Sequence, residues 1–386
     1  MSDQTVQQPR PVSQSDGNGT APMAGATPST CPNCGAQVHP SDAFCETCGQ
    51  ALSPTSAAPA EQPAEAPIEI SRSVSPPEDA EEDNEDTVPI SRPCPSCGGP
   101  VGVDGYCQIC GMKAPSERDH YTEEPASWVA ACCDRGIRHH RNEDATAIAA
   151  DREPGSRAVL VVCDGVSTSV DSDVASLAAA RTARDLLAAS RPAGLGTPES
   201  VAAAMAKAME QAAAEANAAV IANTAPDSSS AAACTFSAAV LENHTIHFGN
   251  VGDSRVYWIP DPGATDQPVQ LSVDDSVASA RIAMGVSRAE AENGPGAHAI
   301  TKWLGRDSSD FTPMTASLRV ATPGWLLVCS DGLWNYASEA RALQELIANV
   351  TSTDASALPL AVRLVAWANE QGGRDNISVA LARHEP

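Results

Sequence analysis

A chain of 386 residues with a formal net charge of −25 is repelled by nucleic-acid backbones and anionic lipid surfaces, so neither is expected as a partner of the whole molecule. A hydrophobic fraction of 42% supplies one sizeable core, and the length leaves room for smaller modules beside it.

The opening Met1-Ser-Asp-Gln-Thr has neither the basic nor the apolar region of a secretory signal, and no run reaches the ~20 apolar residues that span a bilayer. A cytoplasmic protein is expected. Residues 1–30 are mainly Gln, Ser, Pro, Gly and Thr and, with little to bury, are predicted disordered. Cys31-Pro-Asn-Cys34-Gly35 follows and, after ten intervening residues, Cys45-Glu-Thr-Cys48-Gly49. Each Cys-x-x-Cys-Gly forms a tight knuckle that aims two thiolates at one ion, and two knuckles complete a tetrahedral set for zinc. The pattern returns at Cys94-Pro-Ser-Cys97-Gly98 and, after nine intervening residues, Cys107-Gln-Ile-Cys110-Gly111. Disulfides or a redox pair do not predict four such pairs with following glycines. Two small zinc ribbons are therefore expected, over 31–50 and 94–114, with two Zn2+ ions that are structural because four thiolates leave no open position. Between them 51–93 is rich in Pro, Ala and Glu and carries ten acidic residues against two arginines, a net of −8. It reads as a disordered, charge-extended tether.

From about residue 127 the pattern changes to strands and alanine-rich helices. Strands are predicted at 128–133, 144–149 and 158–163, and long helices at 174–190 and 198–223. The second helix opens with Thr197-Pro198, a capping residue before proline at the first helical position. Further strands are expected at 235–241, 245–251 and 255–259, followed by a loop-rich stretch over 260–315. Strands at 318–321 and 325–329, helices at 338–349 and 356–370, and a last strand at 377–381 complete the domain, which spans 127–384. Gly372-Gly373 stops the last helix. Strands joined by short turns make antiparallel sheets, and the inserted helices cover their faces, which is an α+β arrangement. Cys132, Cys133, Cys163, Cys234 and Cys329 fall in apolar surroundings and read as buried core thiols.

Ala158-Val-Leu-Val-Val-Cys163-Asp164-Gly165 ends an apolar run in a carboxylate held by a rigid strand, and Trp325-Leu-Leu-Val-Cys329-Ser330-Asp331-Gly332 repeats the design. Glu143-Asp144 and Asp375-Asn376 occupy the same kind of position, and Asp253 lies between two strands read as a hairpin. Each alone has an ordinary explanation as a turn, a cap or a strand start. Brought together, they would repel one another unless a cation sat among them. Oxygen ligands without histidine favour Mg2+ or Mn2+ over zinc.

Arg141-Asn-Glu-Asp-Ala145, Val-Val-Cys-Asp164-Gly165, Asn250-Val-Gly-Asp253-Ser-Arg255, Leu-Val-Cys-Ser-Asp331-Gly332-Leu-Trp and Arg374-Asp375-Asn376-Ile-Ser-Val resemble, in order, the motifs of the metal-dependent (PPM, type 2C) Ser/Thr protein phosphatases. Leu271-Ser-Val-Asp274-Asp-Ser276 and Ala299-Ile-Thr-Lys-Trp-Leu-Gly305 are weaker echoes. The resemblance implies a four-layer α-β-β-α sandwich with a binuclear metal centre where the sheets meet. It places Asp164 as the bridge between two ions. The Gly165 carbonyl, with Glu143 or Asp144, would bind one ion, and Asp331 with Asp375 the other. Asp253 matches a residue that helps hold a third ion in bacterial members, so two or three Mg2+ or Mn2+ ions are implied. Metal-activated water would attack phosphorus, with no covalent nucleophile.

Two departures stand out. Val166-Ser167-Thr168 replaces the Met-Gly-Gly or His-Gly-Gly that often follows the family's first Asp-Gly, and no general-acid histidine stands there. His139 stands where the family has its phosphate-binding arginine. Arginine is the better bidentate phosphate clamp, so Arg138 and Arg141 are the expected phosphate contacts, with His139 and His140 on the surface of the turn. The implied activity is dephosphorylation of phosphoserine and phosphothreonine in proteins, Ser/Thr kinases and their substrates among them, with the ribbons docking a protein partner. The competing reading is a catalytically weak scaffold that keeps the fold. A nucleic-acid-binding zinc protein is disfavoured by the acidic charge and the nearly lysine-free ribbons.

Overall fold

The structure is a computed structural model that describes residues 29–30, 37–38, 93–94, 96–102, 105–112, 114, 116–192, 194–351 and 356–386. The chain divides into Met1–Glu85 and Asp86–Pro386. In the first unit β1 (Ser29–Thr30) pairs antiparallel with β2 (Gln37–Val38). Cys31, Cys34, Cys45 and Cys48 lie outside the described residues, as do nearly all of 1–30 and 51–92.

In the second unit the chain runs through β3 (His120–Ala126), β4 (Val129–Asp134), β5 (Ala145–Ala150) and β6 (Arg157–Cys163) into the helices α1 (Ser172–Ala189) and α2 (Pro198–Ala222). Next come β7 (Ala233–Cys234), β8 (Phe236–Glu242), β9 (Thr245–Val251), β10 (Arg255–Pro260) and β11 (Val269–Gln270), then the short helices α3 (Val277–Ala283) and α4 (Arg288–Glu292). The last part comprises β12 (Leu304–Gly305), β13 (Met314–Arg319), β14 (Gly324–Cys329), α5 (Asp331–Trp334), α6 (Ala340–Val350), α7 (Ala357–Glu370) and β15 (Ile377–His384).

One sheet has six strands in the order β11-β10-β14-β15-β4-β3, and the other has five in the order β13-β9-β8-β6-β5. The apolar runs explain how they stack. A strand buried on both faces carries no polar alternation, and β6 divides its residues between two cores. Val159, Val161 and Cys163 pack with α1 and α2, while Leu160 and Val162 meet Val256, Trp258, Leu326 and Val328 of the other sheet. In β14 the division is the same: Trp325, Leu327 and Cys329 face α5, α6 and α7. The result is helices, sheet, sheet, helices, as the motif resemblance implies.

Three differences from the sequence reading have local causes. β9 and β10 do not form a hairpin, because they belong to different sheets; Gly252 to Ser254 is the crossing between layers. The strand expected at 318–321 is Met314–Arg319, whose partly exposed, polar-rich sequence hides it from an apolar-run criterion. An extra edge strand, β3, precedes residue 127 and pairs with β4. Its alternation of exposed and half-buried residues and its Pro125 suit an edge. The stretch 260–315 contains α3 and α4, which enclose a small core of Ala278, Ala291 and Ala297.

Arg255 fastens that stretch to the sheet. It is 2% exposed and donates from Nη2 to Asp274 Oδ2 at 2.7 Å and to Glu292 Oε1 at 2.8 Å. Its guanidinium lies 3.5 Å from the Trp334 ring centroid. Removing one partner of a buried pair leaves the other charge stranded, at about 3–5 kcal/mol. Arg255→Met is therefore expected to lower the urea midpoint strongly. Adding Asp274→Asn in the same chain should recover part of the loss, and a midpoint unchanged by Arg255→Met would contradict this role.

Candidate metal centre

Strand parity delivers the acidic residues to one end of the seam between the sheets. Asp164 continues the inward set Leu160 and Val162, Asp144 precedes β5 in step with Ile148, and Asn376 and Ser378 are in step with Ala380 and Ala382. The two glycines of the Asp-Gly pairs are required by close approach. A Cβ on Gly165 would strike the Glu143 carbonyl, and one on Gly332 would strike the Asn376 carbonyl.

Gathering these carboxylates has a clear electrostatic signature. Burial, together with the charges of Asp144, Asp331, Asp375 and Asp253, pushes Asp164 well above the usual carboxylate range. Burial and the charges of Asp375, Asp253 and Asp144 do the same to Asp331. Asp144 is raised to about 6, chiefly by burial and then by Asp375. Asp253 is raised to about 7, chiefly by burial and then by Asp274. Asp375 is also raised by burial. Asp144 Oδ2 and Asp331 Oδ1 are buried with no hydrogen-bond partner. Acceptor oxygens left open among like charges suit hard divalent cations, so these residues fit such a group.

Glu143 and Asp144, alternatives in the sequence, have separate environments. Glu143 Oε1 accepts from Arg141 Nη2 at 2.7 Å and from Ser172 Oγ at 2.8 Å. Burial alone would raise Glu143, yet the neighbouring His139 and hydrogen bonds from Ser172 and Arg141 hold it down to about 2. Its Oε1 is fully engaged, whereas Asp144 Oδ2 is buried with no hydrogen-bond partner.

The basic residues of the turn after β4 also differ from one another. Arg141 is tied to Glu143 and donates to the Ser169 carbonyl at 2.9 Å. Arg138 is exposed, and its main-chain N–H donates to Gly373 O. His140 is exposed as expected, but His139 is not merely a surface residue. Its Nε2 lies 3.2 Å from Asp375 Oδ1 and its Nδ1 3.8 Å from Glu143 Oε2. The nearby Glu143 carboxylate raises its pKa, burial opposes this, and the charge of Asp375 adds to the rise.

Sequence reasoning missed His298. It follows α4, stacks on Trp334 at 6.1 Å, and brings Nδ1 to 4.0 Å from Asp331 Oδ2. Asp253, His298 and Asp331 offer ligand atoms within 4.8 Å of one another. No local pattern marks this histidine; only the packing of 260–315 against α5 places it. Beside Gly165 a cleft of about 310 Å³ is lined by Val166, Ser169, Ser230, Ala232, Ile300 and Trp303.

The second ribbon is a separate cluster. Cys94 and Cys110 sulfurs are 3.6 Å apart, Cys97 and Cys107 sulfurs 3.5 Å, and all four lie within 4.8 Å. A tetrahedron with 2.3 Å metal–sulfur bonds has edges of about 3.8 Å. Gly98 and Gly111 turn the knuckles with φ of 73° and 69°.

Comparison with known proteins agrees with both parts. A family model described as protein phosphatase 2C matches residues 136–367, and one described as double zinc ribbon matches 31–111. A serine/threonine phosphatase of Listeria innocua is 28% identical over 250 residues, covering 64% of this chain and 92% of that protein. The PPM Ser-Thr phosphatase MsPP of Mycobacterium smegmatis, solved with cacodylate, is 27% identical at a TM-score of 0.50, covering 66% of this chain and 97% of that one. The Streptococcus agalactiae serine/threonine phosphatase, 23% identical at a TM-score of 0.54 and covering 69% of this chain and 100% of that one, shares the fold.

The raised carboxylates set a pH dependence for the metal-free protein. Asp144 and Asp253 ionise near 6 and 7 when folded but near 3.9 when unfolded. Between those values the folded state holds more protons, so its stability falls as pH rises. The urea midpoint measured in chelator is expected to drop from about pH 5 to 7.5, and Asp253→Asn to flatten the slope. A midpoint that rose with pH across this window would contradict the assignment.

Proposed function

We propose that this chain, which belongs to the protein phosphatase 2C family, is a serine/threonine protein phosphatase that uses two or three Mg2+ or Mn2+ ions. The observation that carries this reading is the gathering of Asp144, Asp253 and Asp331, buried, with the half-buried Asp164 and Asp375 at the end of the sheet seam, where Asp144 Oδ2 and Asp331 Oδ1 have no hydrogen-bond partner. Asp164 would bridge two ions, Asp144 and the Gly165 carbonyl would complete one, and Asp331 with Asp375 the other. Asp253 and Asp331, with His298, would hold a third. Divalent cations bound in this way lower the pKa of a water and neutralise phosphoryl oxygens.

The remaining work falls to the chain's own groups. Asn335 Nδ2 fixes Asp331 through a 3.0 Å hydrogen bond to Oδ2. Asp164 is locked by Thr235, which accepts from its N–H at 2.9 Å and donates to its carbonyl at 2.8 Å. Glu143 holds Arg141 at the rim, and Arg138, Arg141 and His139 supply the positive charge that orients a phosphoryl group. Phosphorylated proteins are the substrates, Ser/Thr kinases and their targets being the natural candidates. Two structural Zn2+ ions hold the ribbons, which dock a protein partner. Among the described residues no helix is long and apolar enough to cross a membrane, and action in the cytoplasm follows from this reading. The scaffold alternative draws on Val166-Ser167-Thr168; the intact carboxylate set opposes it.

Hydrolysis of p-nitrophenyl phosphate and of a phosphothreonine peptide is expected with Mn2+ and not in chelator. Asp331→Asn should lower kcat by about 10²–10³-fold, the scale of losing one transition-state charge stabiliser, with an unchanged circular dichroism spectrum. Wild-type rates in that variant would remove Asp331 from the centre, and no turnover by the folded parent would favour the scaffold. Elemental analysis should find two zinc ions per chain, falling to one when Cys94 and Cys97 are both replaced by Ser; one zinc in the parent would refute the paired ribbons.

A further inference from the structure

The geometry points to Arg118 as a positioning residue for the site, acting from a strap outside the family match. Only seven residues separate Arg118 from Cys110, the last cysteine of the second ribbon, and the phosphatase match begins at residue 136. The strap nevertheless reaches the backbone of the metal centre. Arg118 Nη2 donates to the Asp144 carbonyl at 2.7 Å and to the Asp173 carbonyl at 3.1 Å. Its Nη1 donates to Tyr121 Oη at 3.3 Å, and the guanidinium lies over the Tyr121 ring.

The main chain of Arg118 is held in turn by a side chain. Asn142, 2% exposed, donates from Nδ2 to the Arg118 carbonyl at 2.8 Å, while its Oδ1 accepts the Asp144 N–H at 3.2 Å. Both peptide groups flanking the Asp144 side chain are thus fixed by one residue and its partner. Asp173 lies in the first turn of α1, whose Ser172 and Ser176 hydroxyls donate to Glu143 Oε1 and to the Glu143 carbonyl. One guanidinium therefore ties the entry of β5 to the start of α1. These elements flank the acidic seam, and the loop leaving Gly165 ends at α1. A planar fork of donors is suited to spanning two carbonyls in fixed geometry.

Arg118 in this role sets where Asp144 presents its open oxygen, and it joins the ribbon end of the chain to the metal centre through a short covalent link. The inference rests on Asp144 being a metal ligand. Groups that orient ligands typically change metal affinity 10–100-fold when removed.

The test uses the full-length chain and Mn2+ alone, with binding followed by calorimetry and by the electron paramagnetic resonance of free Mn2+. Arg118→Ala is expected to raise the Mn2+ Kd about tenfold or more. At saturating Mn2+ its kcat should return close to the parent's, and Arg118→Lys should bind with intermediate affinity. An unchanged Kd in Arg118→Ala with a lowered Tm would reduce Arg118 to a structural residue and overturn the proposal. If Arg118→Ala does not fold, Arg118→Lys decides: a raised Kd supports the role and the parent's Kd overturns it. Asp144→Asn separates the two levels. If it weakens binding while the Arg118 variants do not, this proposal alone fails. If it binds Mn2+ as the parent does, the ligand reading fails and the proposal falls with it.

Discussion

Repulsion among buried and half-buried carboxylates is the constraint around which the second unit is built. Burial raises the pKa of Asp144, Asp164, Asp253, Asp331 and Asp375, the charge of Asp375 adds to the first four, and the two-sheet core must be stable enough to hold them in place. That core is unusually continuous. β6 and β14 are fully buried along their length, so the strands that end at Asp164 and Asp331 are anchored on both faces. A carboxylate at the end of such a strand is held beside its neighbours by the backbone that carries it.

The positive charges nearby do not neutralise the central set. Arg255 is satisfied by Asp274 and Glu292, Arg141 by Glu143, and Arg118 by main-chain carbonyls. Each works one step outside the seam and fixes a piece of its wall. His139, against Asp375, is the cation that comes nearest. A network evolved for stability would pair every central aspartate directly; here, His139 against Asp375 apart, the pairing stops at their supports, which is the pattern of a site that leaves its charge for a ligand.

Much of this was legible in the sequence because the informative signals were local. Apolar runs ending in Asp-Gly marked β6 and β14, and alanine-rich periodicity marked α1 and α2. What was hidden depended on long-range placement. β3 is polar and lies before the first predicted strand, so only β4 reveals it as a strand by giving it a partner. The crossing between β9 and β10 has hairpin length, and nothing in Val-Gly-Asp-Ser says that the next strand enters the other sheet. His298 and Arg118 lie in segments without periodicity, and their roles come from what packs over them. The difference in environment between Glu143 and Asp144 comes from Ser172, which lies on α1, together with Arg141, two residues before Glu143.

The departure at Val166-Ser167-Thr168 can now be located physically. Gly165 bridges to Cys234, Val166 N–H donates to the Ala233 carbonyl at 2.9 Å, and Asp164 is held on both sides by Thr235. The backbone through Gly165 is therefore fixed by β7 and not by the residues that follow. Ser167 and Thr168 are exposed, beyond the last of these bonds, where the chain borders the cleft lined by Ser169, Ser230 and Trp303. Losing the paired glycines at that point leaves the Asp164 carboxylate and the Gly165 carbonyl where they are, and changes the surface that a substrate meets on its way to them.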